Sequence, residues 1–275
     1  MWRIRFPVVW KRRTIIVQGY SLVIFLVFCV LFHGIIKTQF HYVVQHLTKF
    51  SVIMEVGGFF VFGFLVFLVK DVVMGGVSVK MMRYYREFLS NSMIQFVLFV
   101  GTVSSILTIV EFDGVKTILA LLAGAVLYAV VEYLVHRYLL HQFPNAIPVL
   151  YQKHVEHHQY PTALRYLFSP MWYDLIVYVV YFVVLWAVFR NLSLVMAVIA
   201  GTSIYQLYYQ WMHYIAHRPI TPVTPWGKWM KKKHLLHHYM DEQSWYGVSH
   251  PVMDYLMGTH NPKSSKANGY MDGGK

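Results

Sequence analysis

The sequence predicts an all-α, polytopic membrane protein. Hydrophobic residues make up 57% of its 275 positions and charged residues only 13%, a composition far from that of soluble domains. Apolar runs of about 20 residues, long enough to cross about 30 Å of hydrocarbon, recur along the chain. We therefore expect about six transmembrane helices with a histidine-rich helical cap on the cytoplasmic side. The predicted spans are residues 17–36, 51–69, 92–110, 116–135, 171–189 and 192–211.

The spacing of these runs predicts how the chain is organised. Only Arg190 and Asn191 separate the last two runs, so we expect a tight hairpin there. The first run is long and no small-residue cleavage pattern follows it, so it is predicted to be an uncleaved span. We divide the chain into an N-terminal transmembrane region at 1–115, a histidine-rich domain at 116–260 and a polar, flexible tail at 261–275.

The basic residues predict the orientation in the membrane. Lys and Arg number 24 against 12 Asp and Glu. If the N-terminus is cytoplasmic, six spans place every Lys and Arg on the cytoplasmic side except Lys37, Lys49, Lys116 and Arg190, as the positive-inside rule requires. No basic stripe interleaved with aromatic residues forms a separate soluble module, so nucleic-acid binding is not predicted.

Ten of the 15 histidines fall in four clusters at two places where apolar runs end. The spacing H-x-x-H-H occurs twice, in "KHVEHH" and in "KHLLHH". Helices over 116–141 and 192–217 would each be about 39 Å long, so their histidines are expected to leave the membrane on the same side. The clusters are His136 and His141; His154, His157 and His158; His213 and His217; and His234, His237 and His238.

These spacings predict metal binding. Residues at i, i+3 and i+4 share a helix face, so each H-x-x-H-H is expected to aim three imidazoles at one point. His136 and His141 are separated by about 140° on an α-helix; unless that helix is distorted, we expect them to serve different ions. Imidazole suits iron, zinc, copper and nickel. Ten ligands exceed the needs of one ion and predict two, and the spacing leaves the choice among these metals open.

Several charged residues near the histidines have two interpretations. Glu132 lies one turn before His136, where it either orients that imidazole through a hydrogen bond or remains a solvated carboxylate at the membrane surface. The same alternatives apply to three further carboxylates. Three lysines either bind an acyl carboxylate or an anionic lipid head group, or are basic only because they lie on the cytoplasmic side of the membrane. These residues are Asp241, Glu242 and Asp254, and Lys231, Lys232 and Lys233.

The histidine segments resemble the histidine boxes of the fatty acid hydroxylase superfamily, most closely its fatty acid 2-hydroxylase branch. They read "EYLVHRYLLH", "YQKHVEHH", "WMHYIAH" and "KKKHLLHHYMDEQSWYGVSHPVMDYLMGT". His250 stands where the branch usually has a small residue. The resemblance covers roughly 116–260, and its last segment matches the tail of the branch at Gly247, Val248, Pro251, Asp254, Gly258 and Thr259.

This resemblance implies a membrane oxygenase in which two metal ions activate dioxygen and hydroxylate a long-chain lipid, at the 2-position of an acyl chain. The resemblance also implies that the metal is iron, with zinc as the alternative. The sequence has no His-Pro-Gly-Gly haem signature, so a separate electron donor such as cytochrome b5 or a ferredoxin with its reductase is expected. The membrane would be the endoplasmic reticulum or the bacterial inner membrane. The alternatives are a carotenoid or sterol hydroxylase or desaturase, an alkylglycerol oxidase, and a non-redox membrane zinc protein or transporter.

Overall fold

Helices form all the regular secondary structure in the computed structural model, which describes residues 79–262. The predicted all-α class is thereby confirmed. One segment, Val135–Gln142, has π-helical geometry and continues directly from α3. The α-helices are α1 (Val79–Leu89), α2 (Ser92–Val110), α3 (Gly114–Leu134), α4 (Pro148–Gln159), α5 (Leu164–Leu167), α6 (Met171–Phe189), α7 (Leu192–Ala216), α8 (Pro225–Tyr239) and α9 (Val252–Leu256).

Four stretches of the described chain are long and apolar enough to cross a membrane. Two of them, α2 and α6, have the bounds predicted for the spans 92–110 and 171–189. The other two stretches, Gly114–Gln142 and Leu192–Ala216, run past the predicted spans 116–135 and 192–211 and agree with the helices predicted over 116–141 and 192–217. The predicted spans 17–36 and 51–69 lie outside the described residues.

Local signals explain where the membrane helices begin and end. The Asn91 side chain accepts hydrogen bonds from the backbone N–H groups of Met93 and Ile94, and Asn191 does the same for Leu194. Such side-chain caps satisfy donors that have no partner within the helix. Arg190 ends α6 in a left-handed conformation with φ 48°, so the predicted tight hairpin between α6 and α7 is present.

Helix α7 occupies the centre of the bundle, where α2 and α3 pack along it. Most of its residues are buried, whereas α6 is largely exposed along its apolar surface. A polar network joins the two: Gln206 donates to Asp174 at 2.6 Å, and Tyr178 bonds both Gln206 and Ser203. Within an apolar bundle such bonds satisfy groups that lipid cannot.

Helices α3 and α7 cross at a very short separation. A Cβ atom added at Gly124 would lie 2.0 Å from the Val198 carbonyl oxygen, and one at Gly201 would lie 1.9 Å from the Leu121 carbonyl oxygen. The Thr202 hydroxyl donates across the crossing to the Gly124 carbonyl at 3.2 Å. Glycine is therefore required at both positions for the backbones to approach this closely.

The C-terminal end of α7 is tied to α1 by a charged contact. Arg218 donates from Nε and Nη2 to the Glu87 carboxylate, each at 2.6 Å. The Tyr214 hydroxyl also donates to Glu87, at 3.0 Å, while its ring packs on Phe88. Because Arg218 follows His217 directly, these contacts fix the position of the histidines at the C-terminal end of α7.

Candidate metal centre

The π-helical segment brings His136 and His141 together. In π geometry residues five apart follow one another by about one turn, and the two imidazole centroids lie 5.1 Å apart. The expectation that these histidines serve different ions is therefore wrong. The expectation failed because the 140° separation holds for an α-helix, whereas the chain is π-helical at this point.

Helices α4 and α8 each divide their three histidines between two groups. On α4, His154 and His158 point one way and His157 the other; on α8, His234 and His238 separate from His237. The expectation that each H-x-x-H-H converges on one point is also wrong. Residue i+3 lies about 60° from residue i and about 100° from residue i+4, enough to address a neighbouring site.

All ten predicted histidines lie in two groups of five, each with ligand nitrogens within 4.8 Å of one another. The groups adjoin, since the rings of His158 and His238 stack at 4.1 Å. The first cluster is His136, His141, His154, His158 and His237. The second cluster is His157, His213, His217, His234 and His238.

The nitrogen spacing fits a metal ion in each cluster. In the first cluster Nε2 of His154 lies 2.9 Å from that of His141 and 3.1 Å from that of His158. In the second, the Nε2 atoms of His217 and His234 lie 2.8 Å apart. Two ligands about 2.1 Å from one ion and about 90° apart would lie about 3.0 Å from each other. Converging imidazole lone pairs are satisfied by a shared cation, and an all-nitrogen set suits iron or zinc.

Burial keeps these imidazoles neutral. It lowers the pKa of His157 to about 2, with nearby His217 and His158 adding to the shift. Burial likewise lowers the pKa of His158 and of His217 to about 3. The neutral ring is the form that binds metals, so at pH 7 these histidines are ready to act as ligands without losing a proton.

Glu132 has a role that neither interpretation of the sequence predicted. It is 6% exposed, so it is not a solvated carboxylate. It accepts hydrogen bonds from the backbone N–H groups of Val248 and Ser249, each at 2.9 Å, and from the Ser249 hydroxyl. His136 instead donates from Nδ1 to the Tyr246 carbonyl at 2.5 Å. Glu132 thus acts on the segment that bonds His136.

The other charged residues separate into buried and exposed groups. Asp254 is buried and accepts from the backbone N–H groups of Tyr246 and Gly247 at 2.9 Å. Asp241 is also buried and accepts from the Ser244 hydroxyl, whereas Glu242 is exposed. Asp254 belongs to the tail that resembles the 2-hydroxylase branch, the one sequence signal that could have singled it out.

Lys231 forms hydrogen bonds at the C-terminal end of α7. Its ammonium group donates to the carbonyl oxygens of Ile215, Arg218 and Ile220 at 2.7–2.8 Å. Ile215 lies in the last turn of α7, where carbonyls lack partners within the helix, and the other two carbonyls lie in the turn that follows. Lys231 therefore has a structural role, and Lys232 is the exposed member of the lysine run.

Apolar membrane helices with ten histidines gathered at their ends define an integral membrane protein of the histidine-box class. Residues 121–259 match the family model for fatty acid hydroxylase. The chain therefore belongs to the fatty acid hydroxylase family, as its histidine segments predicted, and membership implies an oxidoreductase that acts on lipids.

A solved structure of full-length Scs7p, in which only the hydroxylase domain is visible, is similar to this chain. The two share 22% sequence identity with a TM-score of 0.53, over 66% of this chain and 69% of that chain. At this identity the likeness shows a common fold. Comparison with curated proteins gives no significant match.

Proposed function

We propose that this protein is a membrane oxygenase that hydroxylates the 2-position of a long acyl chain, with its ten clustered histidines holding two metal ions. The observation that carries the proposal is the pair of adjacent five-nitrogen clusters at the ends of membrane helices. Two bound iron ions would supply the activation of dioxygen; zinc would fit the same nitrogens. The histidine-rich domain at 116–260 holds the whole site, and the N-terminal region at 1–115 contributes membrane anchorage.

The reaction needs electrons from outside the chain. Hydroxylation places one oxygen atom of dioxygen into a C–H bond and releases the other as water, which consumes two electrons and two protons. The clustered histidines are neutral ligands and supply neither. A separate one-electron donor such as cytochrome b5, or a ferredoxin with its reductase, is therefore part of the proposal.

The distribution of basic residues supports a cytoplasmic site. In the described chain the short connections Glu111–Asp113 and Arg190–Asn191 stand opposite the ends that carry the clusters. Lys153, Lys228, Lys231, Lys232 and Lys233 all lie on the cluster side, the side that the positive-inside rule assigns to the cytoplasm. Soluble reductants of the endoplasmic reticulum surface or the bacterial cytoplasm would then reach the site directly.

The exposed apolar surface supports a substrate that arrives from the bilayer. Val126 on α3 is 62% exposed and Val183 on α6 is 59% exposed. Surfaces of this kind on membrane helices face lipid. An acyl chain can therefore approach the histidine clusters along the helices without passing through water.

Labelled oxygen tests the proposal. The purified protein, loaded with iron and supplied with a donor, its reductase and a long-chain acyl lipid, should place one atom of labelled dioxygen at the carbon next to the carboxyl. His237→Ala should abolish the product, and His260→Ala, which alters a histidine outside both clusters, should leave it. Label on a ring or a terminal carbon would move the assignment to a sterol, carotenoid or other lipid. Label entering only from water would refute the oxygenase, because a hydrolase uses metal-bound water.

A further inference from the structure

The segment Ser244–Ser249 orients two histidines of the first cluster. The Tyr246 carbonyl accepts from Nδ1 of His136 at 2.5 Å, and the Ser244 carbonyl accepts from Nδ1 of His237 at 2.8 Å. A carbonyl oxygen can only accept, so both rings carry their proton on Nδ1 and present the Nε2 lone pair to the cluster. One short segment thereby sets the tautomer of ligands on two different helices.

The second cluster is held differently. The Nδ1 atoms of His157 and His234 are buried and, among the described residues, have no hydrogen-bond partner. Metal-binding histidines usually donate their outer N–H to a carbonyl or carboxylate, and loss of such a partner typically lowers metal affinity. The two clusters have equal numbers of ligands but unequal support.

Two buried carboxylates fix the orienting segment. The backbone N–H groups of Tyr246 and Gly247 donate to Asp254, and those of Val248 and Ser249 donate to Glu132, all four at 2.9 Å. Glu132 lies on α3 and Asp254 on α9, and both are almost fully buried. Four consecutive N–H groups are thus bound by acceptors from opposite sides, which leaves the Tyr246 carbonyl between them little freedom to turn. The Ser244 carbonyl precedes them; the N–H of its peptide, on Trp245, donates to the carbonyl of Thr259, whose hydroxyl in turn donates to Asp254.

The packing at Gly247 adds a steric constraint. A Cβ atom there would meet the His250 carbonyl oxygen at 2.1 Å and the Asp254 carboxylate at 2.8 Å. No side chain fits between the segment and its carboxylate, so the segment cannot shift in that direction.

We infer that Glu132 and Asp254 are positioning residues that act through the segment Ser244–Ser249 to hold the ion of the first cluster more firmly than the ion of the second. The inference rests on the proposed two-ion function. Neither carboxylate is among the histidine ligands; each acts on metal affinity through the backbone carbonyls that orient His136 and His237. Loosening the segment should therefore weaken the binding of the ion in the first cluster and leave the binding of the other ion unchanged.

Release of zinc to a chromogenic chelator tests the inference without any activity measurement. The zinc-loaded protein in detergent should release two ions in two phases, with the slow phase belonging to the first cluster. His141→Ala and His217→Ala assign the phases, because each removes one ligand from a different cluster. Glu132→Gln and Asp254→Asn should each speed the slow phase about tenfold, the lower end of the range for partners outside the ligand shell, and leave the fast phase unchanged.

A partly buried, hydrogen-bonded carboxylate elsewhere provides the control. Asp174 accepts from Ser169 and Gln206 and touches neither cluster, so Asp174→Asn should leave both phases as in the wild type. If Glu132→Gln prevents folding, Ser249→Ala removes the hydroxyl bond to Glu132, together with the contacts of that hydroxyl to Tyr205 and His250, and should still speed the slow phase, by less. Equal acceleration of both phases, or of neither, would overturn the inference while leaving the two-ion function standing. A wild-type protein that binds fewer than two zinc ions would instead refute the function itself.

Discussion

The close crossing of α3 and α7 makes a strong prediction about stability. A Cβ atom at Gly124 or at Gly201 would approach a carbonyl oxygen of the other helix to about 2 Å. Carbon and carbonyl oxygen approach no closer than about 3.3 Å, so the helices must separate by roughly 1.3 Å. Overpacking of this kind costs about 1–3 kcal/mol.

The two glycines belong to one crossing, which sets the expected outcome of combining the variants. Gly124 meets residues 198–202, and Gly201 meets residues 121–125. Once Gly124→Ala has forced the helices apart, the same gap accommodates an alanine at 201. The double variant should therefore cost little more than either single variant, a large departure from the additivity expected of independent sites.

Thermal unfolding in one detergent provides the assay. Each single variant should lower the Tm by roughly 2–12 °C, given the usual relation between free energy and Tm for a chain of this size. Gly101→Ala is the control, since its Cβ would meet only the Ser203 Cβ, at 3.2 Å, and should change the Tm much less. A double variant that loses the sum of the single effects would show that the crossing is not shared, and single variants that match Gly101→Ala would refute the steric argument.

Two further predictions concern the cluster end of the bundle. Lys231→Met removes three hydrogen bonds to carbonyls at and just beyond the end of α7 and should lower the Tm by several degrees, whereas Lys232→Met, at an exposed site, should not. Acid should destabilise the metal-free protein: folded His158 and His217 have pKa values of about 3, while an unfolded histidine binds a proton near 6.5. The unfolded state then binds more protons throughout that window, so stability falls as pH is lowered from about 7 to 5. A Tm that stays constant or rises over this range would contradict the burial of these rings.

The sequence predicted helices accurately where apolar runs meet strong local signals. Asn91 caps α2, and Arg190 with Asn191 separates α6 from α7, so those bounds could be read directly. The second described membrane stretch continues to Gln142, past the apolar run that ends at residue 135, in agreement with the helix predicted over 116–141. The π geometry of Val135–Gln142 leaves no compositional signature, since it depends on what the widened turn contacts.

The sequence predicted which histidines form the candidate site but did not predict how they are arranged. Spacing and resemblance together selected the ten histidines that the structure gathers. Their division between clusters could not be predicted, because α4 and α8 each face neighbours on two sides and one helix alone does not specify where those neighbours lie. The contact between Glu132 and Ser249 joins residues 117 positions apart, beyond the reach of any local pattern.

The division of histidines on α8 has a consequence for how the protein is made. His237 completes the first cluster and His238 completes the second, and the two are adjacent near the end of the described chain. During synthesis from the N-terminus, the first cluster cannot be whole until His237 has left the ribosome, nor the second until His238 has, and by then all four described membrane stretches have been translated. A complete metal site can therefore form only after these four stretches have been translated, and the nascent chain carries up to eight of these imidazoles before either site is complete.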